Sequence, residues 1–132
     1  MKHEAGLTVI EVIVVIIFLL IAGTVIYTQY QGLEAANRDY RRKTAINAMY
    51  YSLEEVFYPA NKYYPHTINA DRLPSVDPAL FTDPSGRRVG DADSEYRYEP
   101  TGCNGSEKCQ GYVLRVNLER EADYTRISRN TP

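Results

Sequence analysis

The hydrophobic residues are concentrated at the N-terminal end of the chain. No side chain from Val12 to Ala22 is polar, and the apolar stretch from Leu7 to Ile26 contains 20 residues. A helix rises about 1.5 Å per residue, so this stretch is long enough to cross a hydrocarbon core about 30 Å thick. Because lipid offers no hydrogen-bond partners, its β-branched residues do not prevent a helix. We therefore expect a membrane-spanning helix over residues 7–27.

The chain beyond this stretch predicts an amphipathic helix over residues 28–58. Apolar side chains recur at the spacing of one helical face: these are Ile46, Met49, Tyr50, Leu53 and Phe57, with Leu33, Ala36 and Tyr40 as an upstream continuation. Charged residues are expected on the other faces: these are Arg38, Arg42, Lys43, Glu54 and Glu55. We expect one continuous helix from about residue 7 to about residue 56, ended by Pro59 and Pro65.

Residues 59–132 predict a small globular head. Apolar and polar side chains alternate in three short runs, which is typical of strands with one buried face: the runs are 96–99, 112–119 and 124–128. Asp77 followed by Pro78 predicts a capped helical turn, and residues 83–86 predict a β-turn. A long helix followed by consecutive strands indicates an α+β fold, with the helix packed on a three-stranded antiparallel sheet.

Composition and motifs argue against several functional classes. A net charge of −2 over 132 residues, with no one-sided basic face, gives no specific nucleic-acid site. We find neither a glycine-rich phosphate loop nor a nucleophile elbow. Of the two histidines, His3 lies in the N-terminal leader and His66 has no evident partner. We therefore predict neither an enzymatic activity nor a cofactor.

The cysteines and a short acidic segment are the candidate fastening sites of the head. Cys103 and Cys109 flank five residues between two predicted strands, and we expect a disulfide that stabilises by roughly 2–3 kcal/mol. Zinc is the alternative, but no second Cys or His pair has zinc spacing. Asp91 and Asp93 leave calcium open, although the glycine and distal glutamate of an EF-hand are missing. No metal site is predicted.

Glu11 is the residue that a plain membrane anchor does not need. A carboxylate within a membrane span costs several kcal/mol unless it finds a partner or water, and it costs little at the cytoplasmic interface. If the chain were cut after Gly6, a new ammonium would form on Leu7, one helical turn from Glu11. Glu11 of one subunit could then neutralise the ammonium of a neighbour, and the pair would impose one register between subunits.

The run from Gly6 to Glu11, followed by the aliphatic stretch, resembles the class III signal of type IV pilins and type II secretion pseudopilins. The resemblance implies that residues 1–6 are a leader removed by a prepilin peptidase, which cuts between Gly6 and Leu7 and methylates Leu7. It also implies that Glu11 supports assembly into a homo-oligomeric helical filament, with an inner-membrane assembly platform and minor pilins as partners. Leu7 departs from the phenylalanine that is usual in this family, and the family's helix-breaking proline is missing.

The sequence leaves open the orientation of the chain in the membrane and the kind of assembly to which it belongs. Lys2 alone precedes the span while four basic residues follow it, which by the positive-inside rule favours the opposite orientation. We nevertheless expect the C-terminal domain outside a bacterial cytoplasmic membrane, since the leader must be cytoplasmic to be cut and the cysteines suit an oxidising compartment. The predicted function is a structural subunit of a pilus serving adhesion, twitching motility or DNA uptake. The alternatives are a major secretion pseudopilin and an unprocessed single-span anchor with a binding domain.

Overall fold

The computed structural model describes residues 6–105 and 107–130, so residues 1–5 of the predicted leader lie outside the described part. Contacts divide the chain into two compact units, Met1–Ala35 and Ala36–Pro132. Helix α1 spans Val9–Tyr51, and its N-terminal part is the one described element of the first unit. The hydroxyls of Thr24 and Thr28 donate to helix carbonyls one turn back, at 2.8 to 3.0 Å, so these polar groups are satisfied within the helix.

The helical segment ends later than predicted. Helix α1 passes into a π-helical turn, Ser52–Phe57, and then into a short helix α2, Tyr58–Asn61. The expected end near residue 56 at Pro59 is therefore wrong. Pro59 lies in the first turn of α2, where the missing N–H of a proline is tolerated, because the wider π-turn precedes it. Lys62 ends α2 in the left-handed conformation, with φ of 63°.

The second unit contains five strands in two sheets: β1 (Tyr64–Pro65), β2 (Tyr96–Thr101), β3 (Lys108–Cys109), β4 (Gly111–Val116) and β5 (Tyr124–Ile127). Strands β2, β4 and β5 form an antiparallel sheet in that order, which confirms the predicted α+β fold and the three runs of alternation. The pairing of β1 with β3, which sets Tyr64 opposite Cys109, was not predicted. The sequence positions of β1 and β3 carry no period-two pattern, because each strand has two residues.

Two predicted turns are also confirmed. A 3₁₀ helix, Pro78–Phe81, is capped by Asp77, whose carboxylate accepts the N–H of Ala79 at 2.9 Å. The N–H of Gly86 donates to the carbonyl of Asp83 at 2.9 Å and closes the β-turn. These turns shape the loop that leads from β1 to β2.

The core lies between the C-terminal half of α1 and the three-stranded sheet. Ile46, Met49, Tyr50 and Leu53 are buried there as predicted, and Phe57 is half-buried. They meet buried side chains of the sheet and of the preceding loop: these include Leu73, Phe81, Tyr96, Tyr112, Leu114 and Val116. The predicted upstream stripe is wrong, because Leu33, Ala36 and Tyr40 are exposed.

Arg42 was expected on a solvent-facing side of the helix, and this too is wrong, since its side chain is only 2% exposed. Its guanidinium contacts three carboxylates: Asp39 at 2.9 Å, Glu95 at 2.5 Å and Glu119 at 2.8 Å. Asp39 in turn accepts the backbone N–H groups of Glu119 and Arg120, each at 2.9 Å. Two of its three carboxylate partners, Glu95 and Glu119, lie 53 and 77 positions away, so local periodicity does not reveal why this charge is buried.

Glu54 was also assigned to another face and is also buried. It accepts the hydroxyls of Tyr112 at 2.8 Å and Tyr64 at 3.0 Å, and the backbone N–H of Arg129 at 3.2 Å. Burial raises the pKa of Tyr64 to about 12, and burial together with Glu54 raises the pKa of Tyr112. Both hydroxyls therefore stay protonated and able to donate.

The Arg42 cluster predicts a dependence of head stability on acid. Hydrogen bonds from Arg38 and then Arg42 lower the pKa of Glu119 from 4.5 to about 2. Burial alone would raise the pKa of Asp39, but the two backbone N–H groups and Arg42 hold it below its usual value. A carboxylate with a depressed pKa stabilises the fold above its unfolded pKa, so stability should fall as the pH drops from about 4.5 towards about 2.

We expect Glu119→Gln to destabilise the head by about 1–2 kcal/mol at pH 7, a modest value because Glu119 is partly exposed. Below pH 4.5, the stability of this variant should fall less steeply than that of the wild type. The measurement is the urea concentration at which half of the full chain in detergent is unfolded, monitored by the near-ultraviolet circular dichroism of the tyrosines. Glu121→Gln is the control, since it removes the same charge from an exposed pair with Lys43. An equal effect in both variants would contradict the role of the buried cluster.

Candidate functional site: the N-terminal apolar helix

Gly6 and Leu7 precede helix α1 and are exposed. A Cβ atom built on Gly6 would meet no other atom within 4 Å, and its backbone is outside the left-handed region. The described fold therefore has no steric need for glycine at this position. A requirement for glycine would have to come from a molecule that contacts the segment.

Thr8 and Glu11 form a capping box at the start of α1. The Glu11 carboxylate accepts the backbone N–H of Thr8 at 2.8 Å and its hydroxyl at 2.9 Å. The N–H of Glu11 points back to the Thr8 hydroxyl at 3.4 Å. The sequence interpretation missed this local role of Glu11, although Thr-x-x-Glu before an apolar run is its known signature.

The capping box does not by itself account for the negative charge of Glu11. A glutamine completes the same box, so the hydrogen bonds alone do not require a charge. A negative charge near a helix N-terminus gains about 0.3–1 kcal/mol from the helix dipole. Taking an unpaired carboxylate into a membrane or an apolar helix bundle costs several kcal/mol, which is the larger effect. The charge of Glu11 is thus useful to the monomer only while the carboxylate stays near water or finds a cation.

The large apolar side chains that follow Glu11 are exposed throughout the first unit. Phe18 is 69% exposed, Leu20 66% and Ile26 69%, and Leu7 at the start is 77% exposed. The segment is long and apolar enough to cross a membrane, and none of its most apolar part is buried. That exposure distinguishes it from the core helix of a soluble protein, whereas a signal sequence would pass the same test. A surface of this kind requires lipid or protein around it.

The cysteine and acidic positions of the head are occupied by internal contacts. Cys103 and Cys109 are joined by a disulfide, as predicted. His66 Nδ1 lies 4.0 Å from Cys109 Sγ, brought there by the β1–β3 pairing. These three residues are the potential metal ligands that cluster in the described part of the chain, and the disulfide uses the two thiols.

The acidic segment considered for calcium is likewise engaged. Asp91 accepts the backbone N–H of Arg88 at 2.9 Å, and Asp93 accepts from the Arg87 guanidinium at 2.8 Å. Within the residues described, neither aspartate belongs to a group of three or more potential ligands. The geometry assigns both side chains to turn formation and ion pairing.

The described contacts therefore leave one prominent feature without a partner inside its own compact unit, the apolar helix headed by Gly6, Leu7 and Glu11. No protein-family model matches the chain, and neither a curated protein nor a solved structure shows significant similarity to it.

Proposed function

We propose that this chain is the structural subunit of a type IV pilus or a closely related filament. A prepilin peptidase would cut between Gly6 and Leu7 and methylate Leu7, and the subunits would then pack through α1. The observation that carries the proposal is the exposed apolar helix, which has the charged Glu11 in its first turn and follows a glycine that the fold does not need. Before assembly the same helix would hold the chain in the cytoplasmic membrane, with the head outside.

Assembly would replace lipid around α1 with the helices of neighbouring subunits. Cleavage gives Leu7 a positive charge, and Glu11 of an adjacent subunit offers the opposite charge. Each charge is costly alone in an apolar bundle, so only a register that pairs them is favourable. The interaction would specify how far one subunit is shifted along the next.

A second candidate is a single-span anchor that displays the head without processing. The capping box favours it, because the box gives Glu11 a role within one molecule. The two candidates differ in the N-terminus of the mature chain and in whether the charge of Glu11 matters.

Processing can be tested at Gly6. We expect the wild-type chain from membranes or sheared filaments to begin at N-methylated Leu7, as read by intact-mass spectrometry. Gly6→Leu should leave the full-length precursor in the membrane, with its head still folded, because a Cβ atom at this position meets no other atom within 4 Å.

Gly23→Ala is the matched control, since a Cβ at Gly23 also meets no atom within 4 Å. It should be processed normally. A wild-type chain that begins at Met1 would support the anchor and overturn the filament proposal.

The role of Glu11 can be separated from its capping role. Glu11→Gln preserves the capping box and removes the charge, whereas Thr8→Val removes the capping hydroxyl and preserves the charge. In cells with no wild-type copy, we expect Glu11→Gln to lower filament yield about tenfold or more, since an unpaired ammonium costs several kcal/mol. Thr8→Val should have a smaller effect.

The yield is measured by shearing filaments from the cells and quantifying the subunit against its membrane-bound pool. Equal yields for the wild type and Glu11→Gln, combined with a large loss for Thr8→Val, would assign Glu11 to helix capping alone. Membrane insertion should be unchanged in both variants.

A further inference from the structure

The head contains a cavity of about 490 Å³ at the end of the helical segment. Helix α2 and the residues after it line one side, strand β3 lines another, and Asn130 near the C-terminal end lines the third. All of these residues belong to the second compact unit. The filament proposal does not use this cavity.

The cavity has a positive charge within an acidic protein. Among the residues that the structure describes, Lys62 and Lys108 line it and no aspartate or glutamate does. Neither lysine forms an ion pair with a described residue, and Glu107, beside Lys108, is paired with Arg72 instead. The Lys108 ammonium lies 5.0 Å from the centroid of the Tyr63 ring, a contact that leaves its charge without a carboxylate partner among the described residues. Because the whole chain carries a net charge of −2, two ammonium groups at one cavity mark it as a place for an anion.

Aromatic rings and carboxamides make up most of the remaining lining. Tyr58 stacks on buried Tyr64 with ring centroids 4.8 Å apart, and Tyr63 contacts Phe57 edge-on at 5.7 Å. These contacts hold both cavity-lining rings in place. Gln110 and Asn130 supply amide groups that can both donate and accept hydrogen bonds. Fixed aromatic faces with a few polar groups are typical of small-molecule sites.

The backbone at Lys62 supports the same interpretation. It is the one residue other than glycine with a positive φ among those described, and a left-handed helix end normally takes glycine or asparagine. A lysine there holds its Cβ atom in a backbone conformation that is unfavourable for every residue except glycine and, less so, asparagine and aspartate. Strain of this kind is concentrated at functional positions, although a cation also suits a helix C-terminus.

We propose that this cavity binds an acidic carbohydrate, that is, a sugar that bears a carboxylate. The two ammonium groups would hold the carboxylate, the face of Tyr58 opposite Tyr64 would pack on the sugar ring beside Tyr63, and the carboxamides would pair with its hydroxyls. The inference concerns the head alone and holds for either candidate function. Its failure is therefore distinguishable from failure of the filament proposal, since binding is measured on the unassembled chain.

The test uses the full chain in detergent micelles and tetragalacturonate as the probe, with the neutral galactotetraose for comparison. Binding is followed by nuclear magnetic resonance of the tyrosine rings, which reports affinity and location together. We expect shifts at Tyr58 and Tyr63, an affinity at least tenfold higher for the acidic probe, and weaker binding as salt is raised. Equal affinity for both probes, or shifts confined to other tyrosines, would overturn the proposal.

The key variant is Lys62→Gln/Lys108→Gln, which should weaken binding about tenfold or more. Its matched control is Arg41→Gln/Arg97→Gln, which removes two exposed cations that form no ion pair among the described residues and lie outside the cavity. The control should bind normally. An equal loss in both variants would show a nonspecific charge effect, and inorganic phosphate that binds as tightly as the sugar would show an anion site without carbohydrate recognition; either result would overturn the proposal.

Lys62→Gly separates recognition from helix termination. Glycine relieves the left-handed strain, so the variant should be at least as stable as the wild type by its urea midpoint. Its binding should nevertheless fall several-fold, because one ammonium group is gone. Unchanged binding in this stable variant would remove Lys62 from the site.

Discussion

The head depends on a single buried guanidinium. Arg42 connects helix α1 to Glu95, at the start of the sheet, and to Glu119, which follows its central strand. A buried ion pair adds little net stability over an apolar contact, but removing one partner costs about 3–5 kcal/mol. The cluster is therefore best understood as a device that specifies one arrangement of helix and sheet and penalises the others.

Glu54 gives the same helical segment a second polar anchor, twelve positions after Arg42. It binds hydroxyls from β1 and β4 and a backbone N–H beyond β5, so the two anchors together reach every strand of the larger sheet or its flanks. Between them lie Ile46, Met49 and Leu53, which provide the apolar contact area. Burial drives the association, while the two directional clusters set the rotation and the shift of the helix. The π-helical turn at Ser52–Phe57 places Glu54 within this arrangement.

Periodicity predicted the parts of the fold that are local in sequence. The buried face from Ile46 to Leu53 and the three alternating strands followed from spacings of 3.6 and 2. Arg42 and Glu54 were misassigned because a charged side chain is normally solvated, and their partners other than Asp39 lie between 10 and 77 positions away. The prediction that Leu33 and Tyr40 continue the buried stripe was wrong because periodicity identifies an apolar face without showing whether anything covers it.

The N-terminal candidate site could also be predicted from local sequence, whereas the cavity of the head could not. The residues of the N-terminal site are adjacent in sequence, so the apolar run and Glu11 could be recognised directly, and the capping box of Thr8 and Glu11 was readable as well. The cavity at Lys62 and Lys108 could not be predicted, because it depends on the β1–β3 pairing and on the left-handed end of α2.

Three properties of the N-terminal segment are not required by the contacts within one molecule. Gly6 needs no glycine for its own backbone, the capping box needs no charge on Glu11, and about twenty apolar residues gain nothing from facing water. A lipid bilayer alone would account for the last of these and would penalise the second if Glu11 entered it. In the proposed filament, the surroundings that account for all three would supply an apolar environment, a cation near Glu11 and a molecule that contacts Gly6 closely. Identical helices whose N-termini are freed by cleavage would supply the first two, and the enzyme that cleaves them would supply the third.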